Sequence, residues 1–250
     1  MSISLKQALL FVPGNEKWIQ NVLLGGLVLF FPTFAYIFPG LRRLIFIEPI
    51  NYYALSLFLM FTAVVFLAVS GYFFKVIHNR VVHDKEGLPS WKYFSYYIFV
   101  GFKSYVGGFI FSIPFLIFLL VLLSFAPMGF TKELIPFILI AGVVHIIYSF
   151  LYTMVALNFS LNFKISSFWN FKKAYELING NISNFVMLVI NCLVLAFVHT
   201  LIFSLLINAQ IFALLIPFIS FYVYLVYTDL FAQFILNKGK VFSDEKECLV

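Results

Sequence analysis

Apolar runs about twenty residues long, separated by short polar segments, dominate the chain. Six of them reach the length at which a helix rising about 1.5 Å per residue crosses a hydrocarbon layer about 30 Å thick. They cover residues 19–38, 52–76, 105–125, 133–155, 184–207 and 211–236. Ahead of the third run, Lys92, Ser95 and Lys103 dilute the aromatic pattern and Gly101 permits a bend. Residues 91–103 are therefore read as an interfacial piece leading into the span, with one long helix across 94–125 as the alternative.

Two shorter segments carry helical signals without the length to span. Ser4 and Gln7 have capping-box spacing ahead of Ala8-Leu9-Leu10-Phe11-Val12, and Pro13-Gly14-Asn15 supplies turn chemistry. This predicts a short surface helix lying in the interface, not a cleavable signal. In residues 166–179, Phe168, Phe171, Tyr175 and Ile178 recur on one helical face while Asn170, Lys173 and Glu176 occupy another. That predicts an interfacial amphipathic helix with Ser167 as its cap.

Composition agrees with the pattern. The chain is 63% hydrophobic and 10% charged, whereas about 25% charged is ordinary for a soluble globule. It is read as an all-α polytopic bundle in the cell membrane, a single domain with residues 239–250 as a disordered tail. The net charge of +6 comes from cations standing singly or in pairs beside apolar runs. That placement is juxtamembrane and argues against nucleic acid. With an inside amino terminus, all of the 16 Lys and Arg except Arg42, Arg43 and Lys132 fall on inner segments. The positive-inside bias thus predicts six spans with both termini cytoplasmic.

Residues 71–94 form the most charged connection, with Lys75, Arg80, Lys85 and Lys92 between two apolar runs. His78 and His83 are five apart, which does not put them on one helical face as metal ligands. Leu88 before Pro89 is extended, and Ser90 is placed to cap a helix starting at Trp91. With Trp169, Lys172 and Lys173, this connection is the candidate surface for anionic lipid or a cytoplasmic protein partner. Each such cation is worth about 1 kcal/mol near an anionic surface.

Gly25-Gly26 with Pro32 and Gly107-Gly108 with Pro114 share the spacing G-G-x5-P, and Trp18, Trp91 and Trp169 each precede a membrane entry. Three repeated units, each an interfacial aromatic segment and a hairpin, is one reading. The glycines mark close helix packing and the prolines local kinks.

Three ionisable side chains lie within spans: His145, His199 and Asp229. At about 1.5 Å per residue they sit roughly 18, 12 and 27 Å below the outer boundary. That spread excludes one metal cluster but allows a staggered polar route that includes Asn191. The alternative is local hydrogen bonding of the histidines, with Asp229 reaching water or Lys103. The two cysteines, Cys192 and Cys248, form no framework or knuckle. No HExxH, P-loop, GxSxG or dinucleotide fingerprint is present, so neither an enzymatic activity nor a cofactor is expected.

Trp18 with Gly25-Gly26 and Pro32, Gly71-Tyr72 leading into a basic helix end, Gly87-Leu88-Pro89-Ser90-Trp91, then Gly101 and Pro114, resemble the bacterial and archaeal "domain of unknown function 4013" membrane family. The resemblance is clearest over residues 18–114, and its motifs are structural. It implies a multi-pass fold and no particular activity. The expected function is a non-enzymatic membrane scaffold or complex subunit with a basic, amphipathic cytoplasmic face. The alternative is a small transporter or channel using the Gly/Pro-kinked helices and His145, His199 and Asp229.

Overall fold

The computed structural model describes residues 3–37, 52–83, 87–125, 134–179, 181–208 and 210–237. Arg42, Arg43, Asp84, Lys85, Glu86, Lys132, Gly180 and the 239–250 tail lie outside the described residues. All described elements are helical: α1 (Leu5–Phe11), α2 (Trp18–Ile37), α3 (Tyr52–Val82), α4 (Phe94–Ser124), α5 (Ile135–Asn162), α6 (Phe171–Ile178), α7 (Ile182–Asn208) and α8 (Ile216–Leu236). Short 3-10 turns at Trp91–Tyr93, Ile165–Trp169 and Gln210–Leu215 precede α4, α6 and α8. Among the described residues, five helices are long and apolar enough to cross a membrane, and α2 is a further apolar helix of 20 residues.

The helices depart from the apolar runs at their ends. Helix α3 continues past its apolar run to Val82, so Lys75 and Arg80 lie on its last turns, the basic helix end expected after Gly71-Tyr72. Helix α4 is unbroken for 31 residues from Phe94, straight through Gly101. The expected interfacial piece with a bend is thus corrected to one long helix. Gly101 serves contact instead of bending, because a Cβ there would collide with the Leu67 carbonyl of α3, and one at Gly71 would collide with the Tyr97 carbonyl of α4. The pair lets two backbones touch, which in lipid is a main source of helix association, since apolar burial no longer drives it. The last apolar run opens with the 3-10 turn, and its α-helix starts at Ile216 with Pro217 in its first turn. Pro fits there because that N–H has no intrahelical partner.

Contacts divide the chain into two compact units, residues 1–102 with 180–250, and residues 103–179. In the first, α8 is the packing centre, touching α1, α2, α3 and α7. The Phe221 and Phe218 rings of α8 occupy the space left by Gly25 and Gly26 of α2. In the second unit the rings of Phe168 and Tyr152 fill the space beside Gly107 and Gly108. Both glycine pairs therefore seat aromatic rings, and both helices continue through their prolines.

Also in the second unit, α5 ends at Phe163, whose φ of 54° places it in the left-handed region while its N–H donates to the Phe159 carbonyl. Asn158 Nδ2 donates to the Ser167 carbonyl at 2.9 Å, and Ser167 Oγ donates to Asn162 Oδ1 at 2.7 Å. Ser167 is thus tied back to α5, and the cap of α6 is Asn170, whose Oδ1 accepts from Lys173 N–H. The buried side of this segment is Phe168, Ala174 and Leu177, while Phe171 and Tyr175 are exposed.

Candidate functional site

The predicted Ser4 cap is present: its side chain accepts from Gln7 N–H and starts α1. Ala8 and Val12 are fully buried while Leu9 and Leu10 are exposed, so α1 packs one face against the protein and leaves the other outward. Its anchor is Gln233 of α8, whose Oε1 accepts from Ser4 N–H at 2.9 Å and whose Nε2 faces the Ser4 carbonyl at 3.3 Å. Further along, Tyr222 OH donates to the Leu9 carbonyl at 2.9 Å.

Gln233 stands one helical turn after Asp229, so both project from the same side of α8. Its Nε2 is 2.7 Å from Asp229 Oδ2. The other carboxylate oxygen is 2.7 Å from Nε of Arg80, which comes from the C-terminal end of α3. Asp229 is 0% exposed, and a charge so buried is tolerated only when paired. The Phe11 ring covers the guanidinium, 4.5 Å from its carbon. Three elements distant in sequence, α1, α3 and α8, thus converge on one carboxylate. With no exposed surface, Asp229 does not reach water as the sequence had allowed.

The segment after α3 is held as firmly. Asn15, in the turn between α1 and α2, accepts at Oδ1 from Leu88 N–H at 2.9 Å and donates from Nδ2 to the Phe11 carbonyl at 2.6 Å. Tyr72 OH donates to the Pro89 carbonyl and Tyr97 OH to the Ser90 carbonyl, at 3.0 and 2.6 Å. The Trp91 indole stacks on Tyr72, 4.4 Å between centroids and 7° from parallel, and its Nε1–H donates to the Asn21 carbonyl. Ser90 caps the turn at Trp91, as expected from the sequence. Gly87-Leu88-Pro89-Ser90-Trp91 is thus a fixed strap across the helix ends.

Between α1, the following turn, the end of α3 and this strap lies an open pocket of about 580 Å³. Arg80, Gln7, Asn15 and Gly87 line it, with Glu16 and Lys17.

The other sequence candidates are dispersed. His199 Nε2 is 3.0 Å from Ser220 Oγ, and Asn191 Nδ2 is 3.5 Å from the Ile3 carbonyl. His145 belongs to the second unit, exposed and beside the Phe115 and Tyr148 rings. Lys75 lies over the Tyr96 ring at 5.8 Å, Lys92 and Lys172 are exposed, Lys173 is half-buried, and Trp169 is 41% exposed. The His78 and His83 rings meet edge to face, and among the described residues no three His, Cys, Asp or Glu side chains gather as a metal site. Arg80 was legible as a cation at a helix end, but its partner was not, because 149 positions separate it from Asp229.

A family model described as "Protein of unknown function (DUF4013)" matches residues 54–208, more than half of the chain. The chain belongs to the DUF4013 family. The match includes Gly71, the strap and Gly101, and it extends through α5, α6 and α7, well beyond residue 114, where the resemblance read from the sequence faded. It does not include Trp18, Gly25, Gly26 and Pro32, nor α1 and α8. Within this DUF4013 chain, Arg80 therefore lies in the matched segment and Asp229 outside it. No curated protein and no solved structure matches the chain.

Proposed function

We propose that this DUF4013 protein is a non-enzymatic scaffold or subunit of a membrane complex. In this reading it has six spans, both termini are cytoplasmic, and its basic interfacial face engages anionic lipid and a protein partner. The observation that carries the reading is the state of Asp229, the one acidic residue in the described spanning helices. A residue that relays protons or ions must exchange partners. Asp229 instead sits between Arg80 and Gln233 without exposure, and Gln233 in turn holds α1. Such an arrangement supports fastening of helices over transport. Exposed Lys92 in the first unit, and exposed Trp169 and Lys172 in the second, each support a surface suited to phosphates or an acidic partner.

The test pairs flux with lipid retention. Purified protein in liposomes is expected to pass no protons or small solutes above protein-free controls. In detergent it is expected to retain anionic over zwitterionic lipid, with that preference reduced in a Lys92→Gln, Lys172→Gln, Lys173→Gln triple variant. Flux lost on Asp229→Asn or His145→Ala, with normal yield, would establish the transporter reading instead.

A further inference from the structure

The pocket beside Arg80 has more definition than a general basic face. Asp229 holds the Nε edge of Arg80 from behind and Phe11 covers its flat side, so the guanidinium is fixed before any ligand arrives. A guanidinium has five N–H donors. Among the described residues Asp229 is the one carboxylate it meets, and the side chain keeps 20% of its surface exposed where it lines the pocket. Lys17 adds a second cation and Gln7 a side-chain amide. The volume of about 580 Å³ falls in the range of about 300–1,000 Å³ usual for small-molecule sites. Leu10, also on the lining, is 60% exposed and offers an apolar surface next to the polar floor.

We propose that this pocket holds the phosphate headgroup of an anionic phospholipid, with Arg80 and Lys17 on the phosphate and Leu10 against the start of an acyl chain. The proposal rests on the interfacial reading of α1 and the inner end of α3, where lipid phosphates are concentrated. Arginine suits the task because its planar fork matches phosphate oxygens, and a second-partner carboxylate that orients it lowers the freedom lost on binding. Glu16 at the rim opposes an anion, so it weakens the site and tunes it.

The experiment titrates the detergent-solubilised full chain with dihexanoyl phosphatidylglycerol, read by native mass spectrometry, alongside dihexanoyl phosphatidylcholine and glycerol 3-phosphate. One saturable phosphatidylglycerol is expected. Arg80 is left intact, since removing it strands Asp229. Gly87→Leu is the blocking variant: Gly87 and Asn15 both line the pocket, and a Cβ at Gly87 meets nothing closer than Asn15 Oδ1 at 4.0 Å, so bulk is added to the lining without displacing backbone. It is expected to weaken binding at least tenfold. Lys17→Gln is expected to weaken it about fivefold, and Glu16→Gln to tighten it.

Unchanged binding in Gly87→Leu, or in both charge variants, would overturn the pocket while leaving general lipid attraction by the basic face standing. Equal binding of phosphatidylcholine would overturn the charge argument, and equal binding of glycerol 3-phosphate would make the site one for a soluble phosphate. Should Gly87→Leu fail to fold, the opposite shifts expected of Lys17→Gln and Glu16→Gln still decide. Flux in the liposome assay would remove the scaffold reading without touching this result.

Discussion

The most apolar windows of α8 and α5 have similar mean hydropathies, 1.7 within Phe212–Leu236 and 2.1 within Ile135–Asn162, yet half of the first window is buried and none of the second. Their polar residues differ in the same sense. On α5, Ser149 donates to the His145 carbonyl and Thr153 to the Ser149 carbonyl, so these two hydroxyls are satisfied by their own helix, and polar links that leave α5, Tyr148 to Ser112 and Asn158 to Ser167, involve neutral groups alone. On α8, Asp229 and Gln233 reach out to α3 and α1. Hydropathy reports the solvent a helix can enter. Whether that helix faces lipid or protein is written in where its polar groups find partners.

The contrast can be broken most severely at Arg80. Arg80→Ala leaves Asp229 buried without its cation and is expected to cost about 3–5 kcal/mol, read as loss of monodisperse protein or a lower midpoint in thermal unfolding. His145→Ala on α5 serves as its counterpart and is expected to stay within about 0.5 kcal/mol.

Next in size is the α3–α4 backbone contact. Gly71→Leu and Gly101→Leu drive side chains into the facing carbonyls and are expected to destabilise by about 1–3 kcal/mol or more. Gly142 of α5, where an added Cβ meets nothing within 4 Å, is expected to accept alanine with no loss and up to about 1 kcal/mol of gain. Thermal unfolding of the three variants in one detergent orders them.

Smallest is the tether of α1. Gln233→Leu removes the partner of Asp229 Oδ2 and both contacts to Ser4, for an expected cost of about 1–2 kcal/mol. Faster hydrogen exchange is expected in α1 and not in α5. Uniform exchange across the chain would show that Gln233 does not hold α1.

Much of the helical framework was legible, because run length and capping chemistry are local. The Ser4 and Ser90 caps and the five long apolar helices among the described residues followed from neighbours within a few residues. Boundaries failed where tertiary contact overrode local cues. Gly101 looked like a bend because a glycine's own neighbours cannot reveal that Leu67 lies against it, and Ser167 looked like a cap because its hydrogen bonds to α5 are invisible along the chain. The Arg80–Asp229 pair and the Asn15–Leu88 bond join segments distant in sequence. One clue was available: an acid in the last span needed a compensating cation, and Arg80 stood at a helix end on the same expected side of the membrane.

The claim that Asp229 fastens the helices through Arg80 is tested most directly by a double-mutant cycle on thermal stability, using Arg80→Leu, Asp229→Leu and their combination. Each single variant is predicted to be markedly less stable than the parent, and the combination, with no charge left buried, to recover most of the loss through a coupling of at least about 2 kcal/mol. Effects additive to within about 0.5 kcal/mol would contradict it.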